Sequence, residues 1–234
     1  MSGAMRTATV AILALISAAL AAPASARPPV VVELFTAQGC QSCVKSGDVV
    51  AGLAQKPGVL PLTFAVDYWD YLGWADTFAK PEFSDRQRDY MKKLALREVY
   101  TPQLVVDGEA ETAAVSVDKV MPLVKQAART HAKPPQIVFA KGKVQIGTAR
   151  RIKGGAEVWL VRYDPKDQPV MVKSGDNRGQ TVVEHNVVRE LVRLGAWNGR
   201  PKAFQLPDPT ADGLSTVVIV QGVHGGRILG AGQP

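Results

Sequence analysis

The cysteines of this 234-residue chain are two, Cys40 and Cys43, spaced C-x-x-C within Ala37-Gln38-Gly39-Cys40-Gln41-Ser42-Cys43. That spacing suits thiol–disulfide exchange. At a helix N-terminus the first cysteine meets unpaired backbone N–H groups and the helix dipole, which favour a thiolate. The second lies one turn on, placed to attack a mixed disulfide and release a bound substrate. Cys40 is therefore the expected nucleophile and Cys43 the resolving thiol. Two other readings stay open. One is a structural disulfide, although closing so short a loop removes little chain entropy. The other is metal binding, for which two thiolates suit Cu(I). The three histidines, His131, His185 and His224, all lie far from the pair in sequence, so no metal site is assigned. No dissociable organic cofactor is implied.

The flanking pattern supplies the positioning elements. Residues 29–36, PVVVELFT, are an apolar, β-branched run suited to a buried strand. The cysteine motif then opens a helix to about Ala54, ended by Pro57-Gly58. Residues 59–67 form a second buried strand. Residues 83–96 carry Phe83, Tyr90, Met91 and Leu94 at helical spacing, with Ser84 or Asp85 as candidate caps. Residues 99–108 read as a strand entered through Thr101-Pro102 and closed by Asp107-Gly108, with Thr112–Val115 as a hairpin partner. A helix over 117–131 presents Val120, Leu123, Val124 and Ala127 on one face, with Pro122 in its first turn.

A buried strand, a C-x-x-C turn and a helix in that order are what a thioredoxin-like fold requires, and residues 29–132 look like a divergent one. The chain also resembles a bacterial family of secreted thioredoxin-like proteins catalogued only as a domain of unknown function. The resemblance rests on VELFTAQGCQSC (32–43), VDYWDYLGWADTF (66–78), RQRDYMKKLALREVYTPQLVVDG (86–108), and GDNRGQTVVEHNVVREL (175–191) with GGRILGAG (225–232). A thioredoxin-like fold implies a cis-proline at Pro102, with the backbone of Thr101 beside the cysteines, where it can pair with an extended substrate; the alternative is an ordinary strand-entry proline. Such a fold also implies a buried acid beneath the pair. Glu33, alone in an apolar strand, is the first candidate, and a buried carboxylate there would have a raised pKa and act as a general base. The alternative for Glu33 is the opposite face of the strand and a cation partner. Asp67 is the second candidate, or else a cap for the following loop. The sequence departs from the family pattern after Cys43, where Val44-Lys45-Ser46 replaces the usual prolines. Lys45 adds a cation that favours thiolate.

Tyr68, Trp69, Tyr71 and Trp74 concentrate aromatic surface near the expected strand end. They read either as a substrate platform, with Tyr68, Trp69 and Trp74 as binding residues, or as packing of an insertion on the sheet. Asp70 and Asp76 read as surface residues. Beyond residue 135, short Val- and Ile-rich runs separated by Gly and Pro suggest strands without helices. The stretch 181–194 fits either a strand or a helix. Asn177-Arg178-Gly179 and His185-Asn186 are polar groups in strand-like surroundings. Arg178 suits a carboxylate and His185 a ligand, or the group forms a turn with a hydrogen bond between the two halves.

Residues 1–26 read as a signal peptide: Arg6, an apolar run from Ala8 to Ala22, and Ala24-Ser25-Ala26 as the cleavage site. That run is shorter than the roughly 20 residues a spanning helix needs. The mature chain then starts at Arg27, has no membrane span, and is periplasmic or secreted. The formal net charge of +7 falls to +6 with Arg6 removed. The cations are scattered, in small clusters such as Arg150-Arg151-Lys153, without interleaved aromatics, so no nucleic-acid partner is expected. The expectation is thus an α/β thioredoxin-like domain (27–133) followed by a β-rich, sandwich-like C-terminal domain (134–234). Its partners would be protein or small-molecule thiols and disulfides. The alternative is a non-enzymatic binding module on the same scaffold, holding Cu(I) or a partner protein.

Overall fold

The computed structural model describes residues 27–130, 133–149 and 154–234. The expected signal peptide, His131 and the Arg150-Arg151-Lys153 cluster lie outside the described residues. Strand β1 (Val30–Thr36) is buried along its whole length. Its period of two sends Val30, Val32 and Leu34 to one face and Val31, Glu33 and Phe35 to the other. The first face packs on helices α1 (Ser46–Ala54) and α3 (Val117–Thr130) through Val50, Leu53, Val120 and Val124. The second packs on α2 (Pro81–Lys93), where Phe35, Phe64, Phe83 and Tyr90 form stacked and edge-on pairs. Pro81 starts α2, where its missing N–H costs nothing. Pro122 falls inside α3 and not in its first turn.

Strand β2 (Val59–Ala65) runs parallel to β1, and the hairpin β3 (Gln103–Val106) and β4 (Ala110–Ala113) lies antiparallel on its other side. After residue 133 come β5 (Ile137–Ala140), β6 (Lys143–Ile146), β7 (Ala156–Asp164), β8 (Gln168–Met171), β9 (Thr181–Glu184), β10 (Val187–Trp197), β11 (Lys202–Gln205), β12 (Ser215–Gly222) and β13 (Ile228–Gly232). Residues 181–194 are therefore strand, divided at His185-Asn186, where Asn186 has φ 49°.

The sequence predicts a separate β-rich domain after residue 133. The later strands instead extend the first sheet, in the order β13-β12-β7-β10-β2-β1-β3-β4. The join is at β2, where Val187 of β10 registers with Thr63. Thr63 N–H donates to the Asn186 carbonyl oxygen (3.0 Å) and its hydroxyl to that of His185 (2.7 Å), while Asn186 Nδ2 donates to the Pro61 carbonyl oxygen (2.9 Å). Alternation reveals that a segment is a strand, not which edge it will complete. The sandwich-like element is a second layer: the small sheet β11-β6-β5 covers one face of β7 and β12, with Val144, Ile146 and Phe204 packed near Val158, Leu160, Val218 and Val220. Among the described residues no helix is long and apolar enough to cross a membrane.

Candidate functional site

Cys40 and Cys43 form a disulfide at the C-terminal end of β1, between the sheet and α1. The expected continuous helix is divided: residues 41–43 make a 3-10 turn, and α1 begins at Ser46, whose hydroxyl donates to the Cys43 carbonyl oxygen at 2.7 Å. Val44 keeps a helical backbone, and the break falls at Lys45, with φ −97° and ψ 3°. Both cysteines are covered, with 2% and 1% of their surface exposed. Tyr68 and Trp69 pack against the cluster that contains them.

Thr101-Pro102 is a cis peptide, as a thioredoxin-like fold implies. The Thr101 hydroxyl donates to Cys40 Sγ (3.2 Å) and accepts from Trp69 Nε1 (2.8 Å). Ser42 Oγ lies 3.3 Å from Cys40 Sγ and 3.4 Å from the Thr101 carbonyl oxygen, and its single proton serves one of them at a time. Beside this junction is an open groove of about 440 Å³, lined by Ser42, Lys45, Tyr100, Thr101, Pro102 and Ala113–Val115. Val115 and Tyr71 stand exposed near it and near the aromatic loop, respectively, and Tyr71 stacks on Trp69.

Of the aromatic residues expected to receive substrate, Trp69 points its Nε1 at Thr101 and Trp74 points its own at the cysteine loop. Trp74 Nε1 donates to Gln38 Oε1 at 3.0 Å. Tyr68 turns its hydroxyl to Gln87 Oε1 (3.0 Å), and burial pushes its pKa up to about 12. Glu33 does not take the role expected of a base beneath the disulfide. Both its oxygens are held by Arg86, Nε to Oε2 at 2.8 Å and Nη2 to Oε1 at 2.6 Å. Arg86 also reaches Tyr90 and Gln221, so the pair is a satisfied structural ion pair between β1 and α2. Asp67 accepts from the hydroxyl of Ser84 in α2 at 2.6 Å.

The polar centre near the cysteines is Gln38. Its backbone N–H donates to Asp76 Oδ2 at 2.6 Å, and its side-chain amide donates to Thr77 Oγ1 (2.9 Å) and Glu184 Oε2 (3.3 Å). Its carbonyl oxygen accepts from Asn177 Nδ2 at 2.7 Å, and the same nitrogen donates to the Cys40 carbonyl oxygen at 3.0 Å. Gln38, Asp76, Asn177 and Glu184 are all buried. Burial, with Asp76 close by, raises the Glu184 carboxyl to about 8, and burial likewise raises Asp76. Sequence reasoning placed Asp76 on the surface and passed over Gln38 and Glu184. The available signal was Glu184 itself, a lone acid closing the run TVV. The inter-half hydrogen bond at Asn177 is among the readings the sequence offered, and His185 pairs with Asp167 at 2.6 Å. Among the described residues no group of three or more His, Cys, Asp or Glu is placed to hold a metal ion.

The crystal structure of a protein from Agrobacterium tumefaciens is similar at 29% identity and a TM-score of 0.71, covering 89% of this chain and 95% of that one. HBP35 of Porphyromonas gingivalis is similar in fold at 13% identity and a TM-score of 0.60, covering 89% of this chain and 75% of that one. No curated protein matches the chain. Residues 31–221, most of the chain, match the family described as protein of unknown function (DUF1223), to which the chain belongs.

Proposed function

We propose that this chain is an exported thiol–disulfide oxidoreductase of thioredoxin-like build, acting on protein or small-molecule thiols. The parallel β1–α1–β2 unit, the antiparallel β3–β4 hairpin entered through Pro102, and the disulfide between β1 and α1 support that build. The observation that carries the reading is the junction at Cys40, where the Thr101 hydroxyl meets the sulfur and Thr101 and Ser42 line an open groove beside it. A substrate thiolate attacks Cys40 Sγ, forming a mixed disulfide and releasing Cys43 as a thiolate. A second thiolate attacks the substrate sulfur, releasing Cys40. The net change is one protein disulfide reduced to two thiols and two substrate thiols oxidised to one disulfide. Run in reverse, Cys40 is the nucleophile and Cys43 resolves.

The test is the reduction potential of the pair, equilibrated against glutathione in the mature protein, together with exchange by variants. A value between about −120 and −270 mV places the pair among exchange-active dithiols. Cys40→Ser then abolishes exchange and Cys43→Ser traps mixed disulfides. Exchange that survives in Cys40→Ser overturns the reading. Export is tested by the mass of the mature protein, which starts at Arg27 when cleavage follows Ala26.

The near-complete burial of both cysteines favours a second reading, a binding module in which the disulfide is part of the scaffold. A pair that stays oxidised below about −300 mV belongs to that reading.

A further inference from the structure

Gln38, two residues before Cys40, is gripped at both ends by the C-terminal half. Asn177 holds its carbonyl oxygen, and Glu184 takes one side-chain proton. The amide cannot turn over without loss, because its oxygen already accepts from Trp74 Nε1 (3.0 Å) and the Thr77 N–H (3.2 Å). The β8–β9 hairpin that carries Glu184 sits directly on the first turn of α1: a Cβ at Gly47 would lie 2.0 Å from the Val183 carbonyl oxygen. A carboxyl from outside the β1–α1–β2 unit is therefore built into the loop that holds the disulfide. We propose that Glu184 is a positioning residue for the Cys40–Cys43 pair, acting through Gln38, and that its charge sets how readily a thiol opens the disulfide. The inference rests on the exchange reading above.

The physical argument is electrostatic. Opening the disulfide creates a thiolate, and a nearby carboxylate disfavours it where a neutral carboxylic acid does not. The surroundings keep Glu184 at the edge of ionisation. Asp76 faces it with a like charge, and burial disfavours its charged form. Arg189 of β10 is the opposing cation, but it is shared with Asp164 of β7 at 3.8 Å and with Gln168 of β8 at 3.2 Å. The Arg189 guanidinium also lies over the Phe78 ring at 4.0 Å, and Lys80 donates to the Arg189 carbonyl oxygen. His185, next in the chain, faces Asp167. From α1, the uncharged Gly47 meets Val183 and His185, the residues on either side of Glu184.

The experiment is the rate of disulfide opening by glutathione from pH 6 to 10, divided by the glutathione thiolate fraction, for the mature protein. In the wild type the normalised rate should fall about threefold through pH 8, the response to one unit of thiol pKa at a Brønsted slope near 0.5. Glu184→Gln keeps the shape and hydrogen-bonding reach of the neutral acid, so its rate should stay flat at the acidic-side value. In Asp76→Asn the like charge is gone, and the wild-type inflection should move to lower pH. A merely structural Glu184 would leave the Gln variant with the wild-type pH profile, and that result overturns the inference while leaving exchange chemistry intact. Absence of any exchange in the wild type overturns both.

Discussion

Asn177 Nδ2 lies 3.0 Å from the carbonyl oxygen of Cys40, so a residue 137 positions further along the chain holds the backbone of the cysteine loop. The same nitrogen serves the Gln38 carbonyl oxygen. Both protons of one amide are spent on two backbone acceptors, and the amide is fully buried. Each buried acceptor left without a partner costs about 1–3 kcal/mol. The Cys40 oxygen keeps the Cys43 N–H at 3.0 Å, so Asn177→Ala orphans the Gln38 oxygen and should lower the stability of the oxidised protein by about 1–3 kcal/mol, measured by urea unfolding. Asn177→Asp, which sets carboxylate oxygens against carbonyl oxygens, should lose at least as much. Wild-type midpoints in both variants would show that the loop does not depend on this clamp.

The Glu33–Arg86 pair supports a second prediction. Removing one partner leaves the other as an uncompensated buried charge, at a cost of about 3–5 kcal/mol. Glu33→Gln and Arg86→Met should each be strongly destabilising. The double variant should fall well short of the sum, because the two charges share one set of bonds. Additive losses in a double-mutant cycle would refute the pairing. Glu33→Gln should also leave the pH profile of exchange in place, since both Glu33 oxygens face Arg86.

Stability should depend on pH through Glu184. Its carboxyl titrates near 4.5 in an unfolded chain and near 8 in the folded one, where burial and Asp76 oppose ionisation. The folded state holds a proton that the unfolded state has released, so folding is favoured most below pH 4.5. That contribution is lost as pH rises to about 8 and does not change further. The difference between Glu184→Gln and wild type isolates it from other groups. The Gln variant should melt several degrees above wild type at pH 9, and the gap should shrink toward pH 5. A gap independent of pH would reject this account.

Gly47 carries a packing prediction. With the Val183 carbonyl oxygen 2.0 Å from a Cβ position, Gly47→Ala must push α1 and the β8–β9 hairpin apart. Overpacking of this kind costs about 1–3 kcal/mol or more, despite alanine's better helix propensity. Thermal unfolding would show a lowered midpoint, whereas a raised one would mean the hairpin is free to move.

What the sequence made legible follows from the range of each interaction. Strand β1, helix α2 and the strands after residue 133 are set by short periodic patterns, and the ends of β1 and α2 lie within a few residues of expectation. The cysteine motif and Thr101-Pro102 are marked by residue type, and the structure brings them together. Glu33 and Glu184 show the limit. Each is a lone acid in an apolar strand, and the pattern says only that a partner is needed. Which partner depends on Arg86, 53 residues away, or on Gln38, 146 residues away. The same distance hides the continuous sheet: nothing local to β2 announces that β10 will lie beside it.

The parallel seam between β2 and β10 also orders events in time. The N-terminal half leaves the ribosome with one edge of its sheet bare, and an uncovered edge invites pairing with other chains. Cover arrives only when residues 186 and 187 have been made and have found Pro61 and Thr63 across a long loop. Contacts so far apart in sequence form slowly. The cysteines are thus made well before Asn177, and until then the loop that holds them lacks the hydrogen bonds it has in the finished molecule.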